Sequence, residues 1–135
     1  MKKIVFIFLF SNIVGCSSIP KEYLLSPTEI TADSTYGYTI DNPIKVGGFI
    51  HERGPRNERE YLSHLVSEYG EAPSIQRRGS CCPFTTSFGL GRTGLLDVFE
   101  LIFQSKKDTV VLYINMYDYE KPKLPKGFKI KSTKL

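Results

Sequence analysis

The residues best suited to chemistry stand together in Arg78-Gly79-Ser80-Cys81-Cys82-Pro83-Phe84. Two adjacent thiols permit three behaviours. Left free, they are small hydrophobes of the kind usually found buried. Joined, they form a vicinal disulfide, a ring that stiffens the turn before Pro83, although neighbouring Cα atoms at about 3.8 Å stand closer than an ordinary bridge prefers. As a thiolate favoured by Arg77 and Arg78, one of them would be a nucleophile or redox centre. Redox pairs are normally spaced Cys-x-x-Cys, which puts the structural readings of Cys81 and Cys82 ahead.

A second set follows Gly54-Pro55: Arg56, Asn57 and Arg59. Pro suits the first position of a helix, whose positive start favours acidic neighbours. Arginines have no dipole reason to be there, so Arg56 and Arg59 are expected to meet a carboxylate of the fold or a ligand. With Arg78, Cys81 and Cys82, these three are the candidate contact residues. No metal is expected: His51 and His64 are the sole histidines, and adjacent cysteines cannot easily fill two corners of a zinc site. Ser80 or Cys82 with a histidine and Asp97 would make a nucleophilic triad on paper, and Glu58, Asp97 and Asp118 are carboxylates of open separation that either do acid–base work or pair with Arg56, Arg59, Arg77 or Arg78 to fix the fold. Composition alone would allow such sets in most proteins, so no catalytic residue is assigned. The glycines from Gly89 to Gly94 lack the Gly-Lys-Ser/Thr of a phosphate loop, and no cofactor is expected.

The N-terminus says where these residues work. Met1-Lys2-Lys3 followed by the apolar run from Ile4 to Phe10 has the charged and apolar regions of a secretory signal, too short to span a bilayer. Ile13-Val14-Gly15-Cys16 resembles the lipobox of bacterial lipoproteins. That resemblance implies a diacylglyceryl thioether on Cys16, cleavage after Gly15 and acylation of the new amino terminus, several chains being enough for stable anchoring. Ser17 in place of Asp resembles lipoproteins sent to the outer membrane of a Gram-negative cell, facing the periplasm. Cys81 and Cys82 would then stand in an oxidising compartment.

Loss of residues 1 to 15 leaves 120 and removes Lys2 and Lys3 from a formal charge of +4, leaving +2. That balance is too mild to argue for nucleic acid. Lys121, Lys123, Lys126, Lys129, Lys131 and Lys134 read as a solvated face and a basic tail over residues 131–135. Residues 16–35, rich in Ser, Thr and Pro, read as a lipidated tether, and residues 36–130 as one domain.

Within that domain, Ile44 to Ile50 alternates like a strand, and Gly47-Gly48 marks a bulge or a close backbone approach. The helix opened by Pro55 is expected to run to Gly70, because Leu62, Leu65, Val66 and Tyr69 make one apolar stripe. Ser74 to Gly79 reads as a short strand and Thr86 to Gly94 as a flexible loop. Leu95–Phe103 and Thr109–Tyr117 are the strongest strands, joined by a hairpin loop at Ser105-Lys106-Lys107-Asp108. Val110, Leu112, Ile114 and Met116 share the core face, with Tyr113, Asn115 and Tyr117 on the other. The expected class is α+β: an antiparallel sheet of about four or five strands with one main helix packed on a face.

Tyr36-Gly37-Tyr38, Asn42-Pro43-Ile44-Lys45-Val46-Gly47-Gly48, Gly54-Pro55-Arg56-Asn57-Glu58-Arg59, the Arg78 to Phe84 stretch, Gly94-Leu95-Leu96-Asp97 and Leu112 to Tyr119 resemble a group of small bacterial lipoproteins of no established activity. Some chains of that group are labelled 2-dehydro-3-deoxyphosphooctonate aldolase. That enzyme is similar to a TIM barrel, which needs about 200 residues or more, and this chain has 135. The sequence therefore points to an envelope lipoprotein that binds a protein or glycan partner without catalysis. The alternative is an envelope enzyme or thiol-redox protein using Cys81 and Cys82.

Overall fold

The computed structural model describes residues 25–48 and 53–132. The expected signal peptide, Cys16 with its lipid, the first part of the tether, His51 and the end of the basic tail lie outside them.

The elements in order are β1 (Ile44–Lys45), α1 (Gly54–Ser63), β2 (Leu65–Ser67), β3 (Ser74–Leu90), β4 (Thr93–Phe103), β5 (Asp108–Asn115) and β6 (Phe128–Ile130). Four of them form a sheet in the order β1-β5-β4-β3, while β2 and β6 pair separately. The fold is α+β. Its sheet is mixed rather than purely antiparallel, because β1 runs parallel to β5 while β3, β4 and β5 form antiparallel neighbours.

The centre of the sheet follows from side-chain alternation. On β4, Asp97, Phe99, Leu101 and Phe103 are all buried, two residues apart, and on β5 Leu112 and Ile114 are fully enclosed. The helix α1 sends Gly54, Glu58, Tyr61 and Leu62 inward, at intervals of four, three and one residues that trace one helical face. Tyr61, Leu62, Phe99, Leu101, Leu112 and Ile114 then make a common core. One carboxylate, Glu58, thus lies on the stripe that the helix turns toward the apolar interior.

The helix is shorter than its periodicity suggested. It stops at Ser63, and Leu65–Ser67 pairs with β6, with Leu65 opposite Ile130 and Ser67 opposite Phe128. Leu65 and Val66 are buried on that ribbon, whereas Tyr69, expected on the same stripe, is 75% exposed. The partner strand is more than sixty residues away in sequence, and no local pattern announces it.

Residues 86–90, expected in a loop, continue β3, and the turn to β4 is carried by Gly91 and Arg92 at positive φ. Part of the expected tether is packed: Leu25 and Thr31 are buried, and Ile30 bridges Leu124. Thr31 N–H donates to Leu124 O at 3.0 Å and Leu124 N–H to Glu29 O at 2.8 Å. The close approach expected at Gly47 is present. A Cβ there would stand 2.2 Å from Met116 O, so this backbone can lie against the end of β5 only without a side chain.

Candidate functional site: a buried acid pair beside an apolar cleft

The site is built by an irregularity in β3. Arg77 lies opposite Phe99, but Gly79 lies opposite Val98 and Ser80 opposite Asp97, so one extra residue has been inserted. In a regular strand, side chains three residues apart face opposite ways. The bulge at Arg78-Gly79 restores the parity: Arg77 and Ser80 both reach the Asp97 face, and Arg78 is sent elsewhere. Gly79 adopts φ 141°, a conformation that L side chains rarely take.

Asp97 is where these groups converge. It is 2% exposed. Arg77 Nε donates to Oδ2 at 2.8 Å and Arg77 Nη2 to Oδ1 at 2.8 Å, a forked pair whose guanidinium keeps one side in solvent. Ser80 Oγ donates to Oδ1 at 2.6 Å and itself accepts from Arg77 Nη2 at 2.7 Å. Glu58, delivered from α1, stands beside the same carboxylate, where its acid form can donate to it. A carboxylate has about four acceptor positions, so two bonds from Arg77, one from Ser80 and one from Glu58 fill Asp97.

Two carboxyl groups this close cannot both ionise cheaply. Burial, then the Asp97 charge and the hydrogen bond to it, push Glu58 from 4.5 up to about 8, against the pull of Arg77 and Arg59. Burial alone would raise Asp97 as well. The hydrogen bonds from Arg77 and Ser80, the Arg77 charge and the Glu58 hydrogen bond outweigh it and hold Asp97 below its ordinary value. At neutral pH, Glu58 is therefore the acid and Asp97 the carboxylate that accepts its hydrogen bond. Glu58 is 1% exposed, and its Oε1 has no hydrogen-bond partner among the described residues. An unmatched buried oxygen of this kind costs about 1–3 kcal/mol.

Glu58 belongs to the wall of a cleft of about 490 Å³, within the range of small-molecule sites. Leu62, Ile75, Phe99 and Met116 give the cleft its apolar sides, Glu58, Asp97 and Arg77 its polar patch, and Arg59 its exposed cation. The geometry can hold an apolar body against the first four and offer Glu58 one hydrogen-bonding group. It supplies no nucleophile with a base: Ser80 bonds the carboxylate directly, with no histidine between them.

The candidate residues fall in separate places. Arg59 lines the cleft. Arg56 is exposed on α1, and Asn57 Nδ2 donates to Val46 O at 2.8 Å, tying the helix start to the chain after β1. Arg78 pairs with Glu100 on the exposed side of the sheet. Cys81 and Cys82 are joined by a disulfide within β3, at a second bulge where Cys82 takes φ 59°. Pro83 follows on an edge strand, where a missing N–H is tolerated. No group of three or more potential metal ligands occurs among the described residues.

Sequence reasoning left the separation of Glu58 and Asp97 open, had Arg77 among the arginines that could pair with them, as it does with Asp97, and chose Arg78 as the contact residue. The available signal was the spacing of Glu58 to Tyr61 and Leu62, which places an acid on the buried helix face. The parity of Arg77 depends on the bulge and is not visible without it. In comparisons with protein-family models, curated proteins and solved structures, nothing matches this chain.

Proposed function

We propose that this protein is a lipoprotein of the bacterial cell envelope, anchored through acyl chains on Cys16, whose α+β domain is a non-enzymatic binding module with its ligand site in the cleft over Glu58. The leader and Ile13-Val14-Gly15-Cys16 support the anchor and an outer-membrane, periplasm-facing location. The observation that carries the binding reading is Glu58, a buried acid in the wall of an apolar cleft whose Oε1 lacks a partner. A binding role is favoured over catalysis because the acceptor positions of Asp97 are taken by Arg77, Ser80 and Glu58, leaving that carboxylate no position for a substrate or a water.

Mass spectrometry of the protein from native envelopes tests the anchor: a mass on Cys16 equal to its acyl chains is expected, and an unmodified Cys16 would sink it. The cleft carries its own reporter, because Met1 leaves with the leader and Met116 is then the single methionine. A chain labelled with 13C-methyl methionine gives one line from the cleft wall. Small apolar molecules bearing a donor group are expected to shift it; a line that none of them moves would remove the binding reading.

The second reading, a thiol-redox protein, is favoured by the Cys81–Cys82 disulfide. Arg77 and Arg78, which would have stabilised a thiolate, are instead committed to Asp97 and Glu100. Rapid, reversible exchange of the native disulfide with glutathione would promote that reading; resistance to glutathione until the chain unfolds would dismiss it.

A further inference from the structure

The cleft also carries information about the chemistry of its occupant, and this step rests on the binding reading above. We propose that the ligand is a primary ammonium on an apolar body, seated with its charge on Glu58, and that the proton Glu58 shares with Asp97 leaves to solvent as the ligand enters.

The charge count leads there. Two carboxyl groups and one guanidinium meet at the polar patch, and the guanidinium is spent on Asp97 and Ser80. The proton on Glu58 is what keeps the second carboxyl neutral. The charged groups acting on Glu58 are Asp97 from β4, Arg77 from β3 and Arg59 from its own helix. An arriving ammonium restores the same neutrality without that proton: the neutral Glu58 acid and the ligand cation give a Glu58 carboxylate paired with the cation, plus one proton released to the buffer. The ammonium also supplies the donor that Oε1 lacks. An anionic ligand would have to place its charge against Asp97 and would leave Oε1 unmatched. A neutral alcohol could match Oε1 but has no reason to displace the proton. Leu62, Ile75, Phe99 and Met116 favour a hydrocarbon body on the cation, because burying apolar area drives association. The cleft of about 490 Å³ has room for a chain of several carbons or an aromatic ring.

The test uses the mature chain, residues 16–135, oxidised and carrying Cys16→Ser so that no lipid is attached, with the Met116 methyl as reporter. The probes are hexylamine, 1-hexanol and hexanoate, matched in length. Hexylamine is expected to bind with a Kd of about 1 mM or tighter, and hexanol and hexanoate at least about tenfold more weakly. Its Kd is expected to weaken about tenfold for each pH unit below about 8 and to level off above it, with close to one proton released at pH 6.5 by calorimetry in two buffers. Glu58→Gln keeps a donor toward Asp97 and is expected to abolish both the amine preference and the proton release. Hexanol binding as well as hexylamine, or an amine affinity flat in pH, would overturn the ammonium proposal while leaving a binding module. Hexanoate binding best would overturn it in favour of Arg59 as the anchor. No probe moving Met116 would remove the binding reading itself, and this proposal with it. The wild-type pH profile decides the matter even if the Glu58 variant does not fold.

Discussion

Two polar clusters flank the sheet, and they differ in completeness. Near the end of β5, Asp118 accepts from Thr86 Oγ1 at 2.7 Å and from Asn115 Nδ2 at 2.9 Å, while Asn115 Oδ1 accepts the N–H groups of Tyr117 and Asp118. All those partners are neutral, and each holds a piece of backbone or the β3–β4 ribbon in place. At the other cluster, Asp97 is filled by a guanidinium, a hydroxyl and a second acid, and that second acid faces a cleft with one oxygen unmatched. A carboxylate enclosed by neutral donors finishes a fold. A carboxylic acid left incomplete beside open apolar space invites a ligand.

The largest effect that could break this contrast is removal of Asp97. Asp97→Ala would leave the Glu58 acid and the half-exposed Arg77 guanidinium without their shared partner and is expected to cost about 2–3 kcal/mol in denaturant unfolding. A loss under about 1 kcal/mol would mean that the acid pair does not organise the site. Next comes pH. Folding raises Glu58 from 4.5 to about 8, so between those values the folded chain keeps a proton that the unfolded chain releases. The stability this supplies is complete below 4.5 and is lost as pH rises toward 8, at up to about 1.4 kcal/mol per unit. Asp97, held low, acts in the opposite sense: its contribution is present above its unfolded value of 3.8 and is lost as pH falls through the folded value. Relative to wild type, Glu58→Gln is therefore expected to gain stability steadily from about pH 5 to 8 and no further; a pH-independent difference would refute the assignment.

Smaller effects sharpen the contrast. Gly79→Val meets open space, so its cost is backbone strain alone, about 1–3 kcal/mol, and Ser80 should lose its bond to Asp97 as the bulge shifts. Thr86→Ala should cost about 1 kcal/mol in denaturant unfolding, with no change at the Met116 methyl. A displaced Met116 line there would erase the difference between the two clusters.

Much of the scaffold was legible in the chain because its signals are local. Leu95–Phe103 and Thr109–Tyr117 carry their own alternation, Pro55 marks the helix start, and Gly47 marks a backbone contact. What stayed hidden depends on distant partners. Leu65 and Val66 suit a helical stripe as well as a buried ribbon, and only β6 decides between them. Ile44–Lys45 runs parallel to β5 because of where the chain goes next, which no pattern within Ile44 to Ile50 records. The site was half visible: Glu58 stood at helical spacing from Tyr61 and Leu62, and the Asp97 spacing from Phe99 and Leu101 put it on the core face. That Arg77 rather than Arg78 would join them turned on one inserted residue at Gly79.

The central claim is that Glu58 is a proton-holding acid at the cleft wall, and its titration tests this most directly. The side-chain carboxyl 13C resonance of Glu58, followed from pH 3 to 10 in a chain of residues 16–135, is expected to show its inflection at about 8. An inflection at the ordinary value of 4.5 would mean that Glu58 is an ionised, solvated carboxylate, and the account of the site would be wrong.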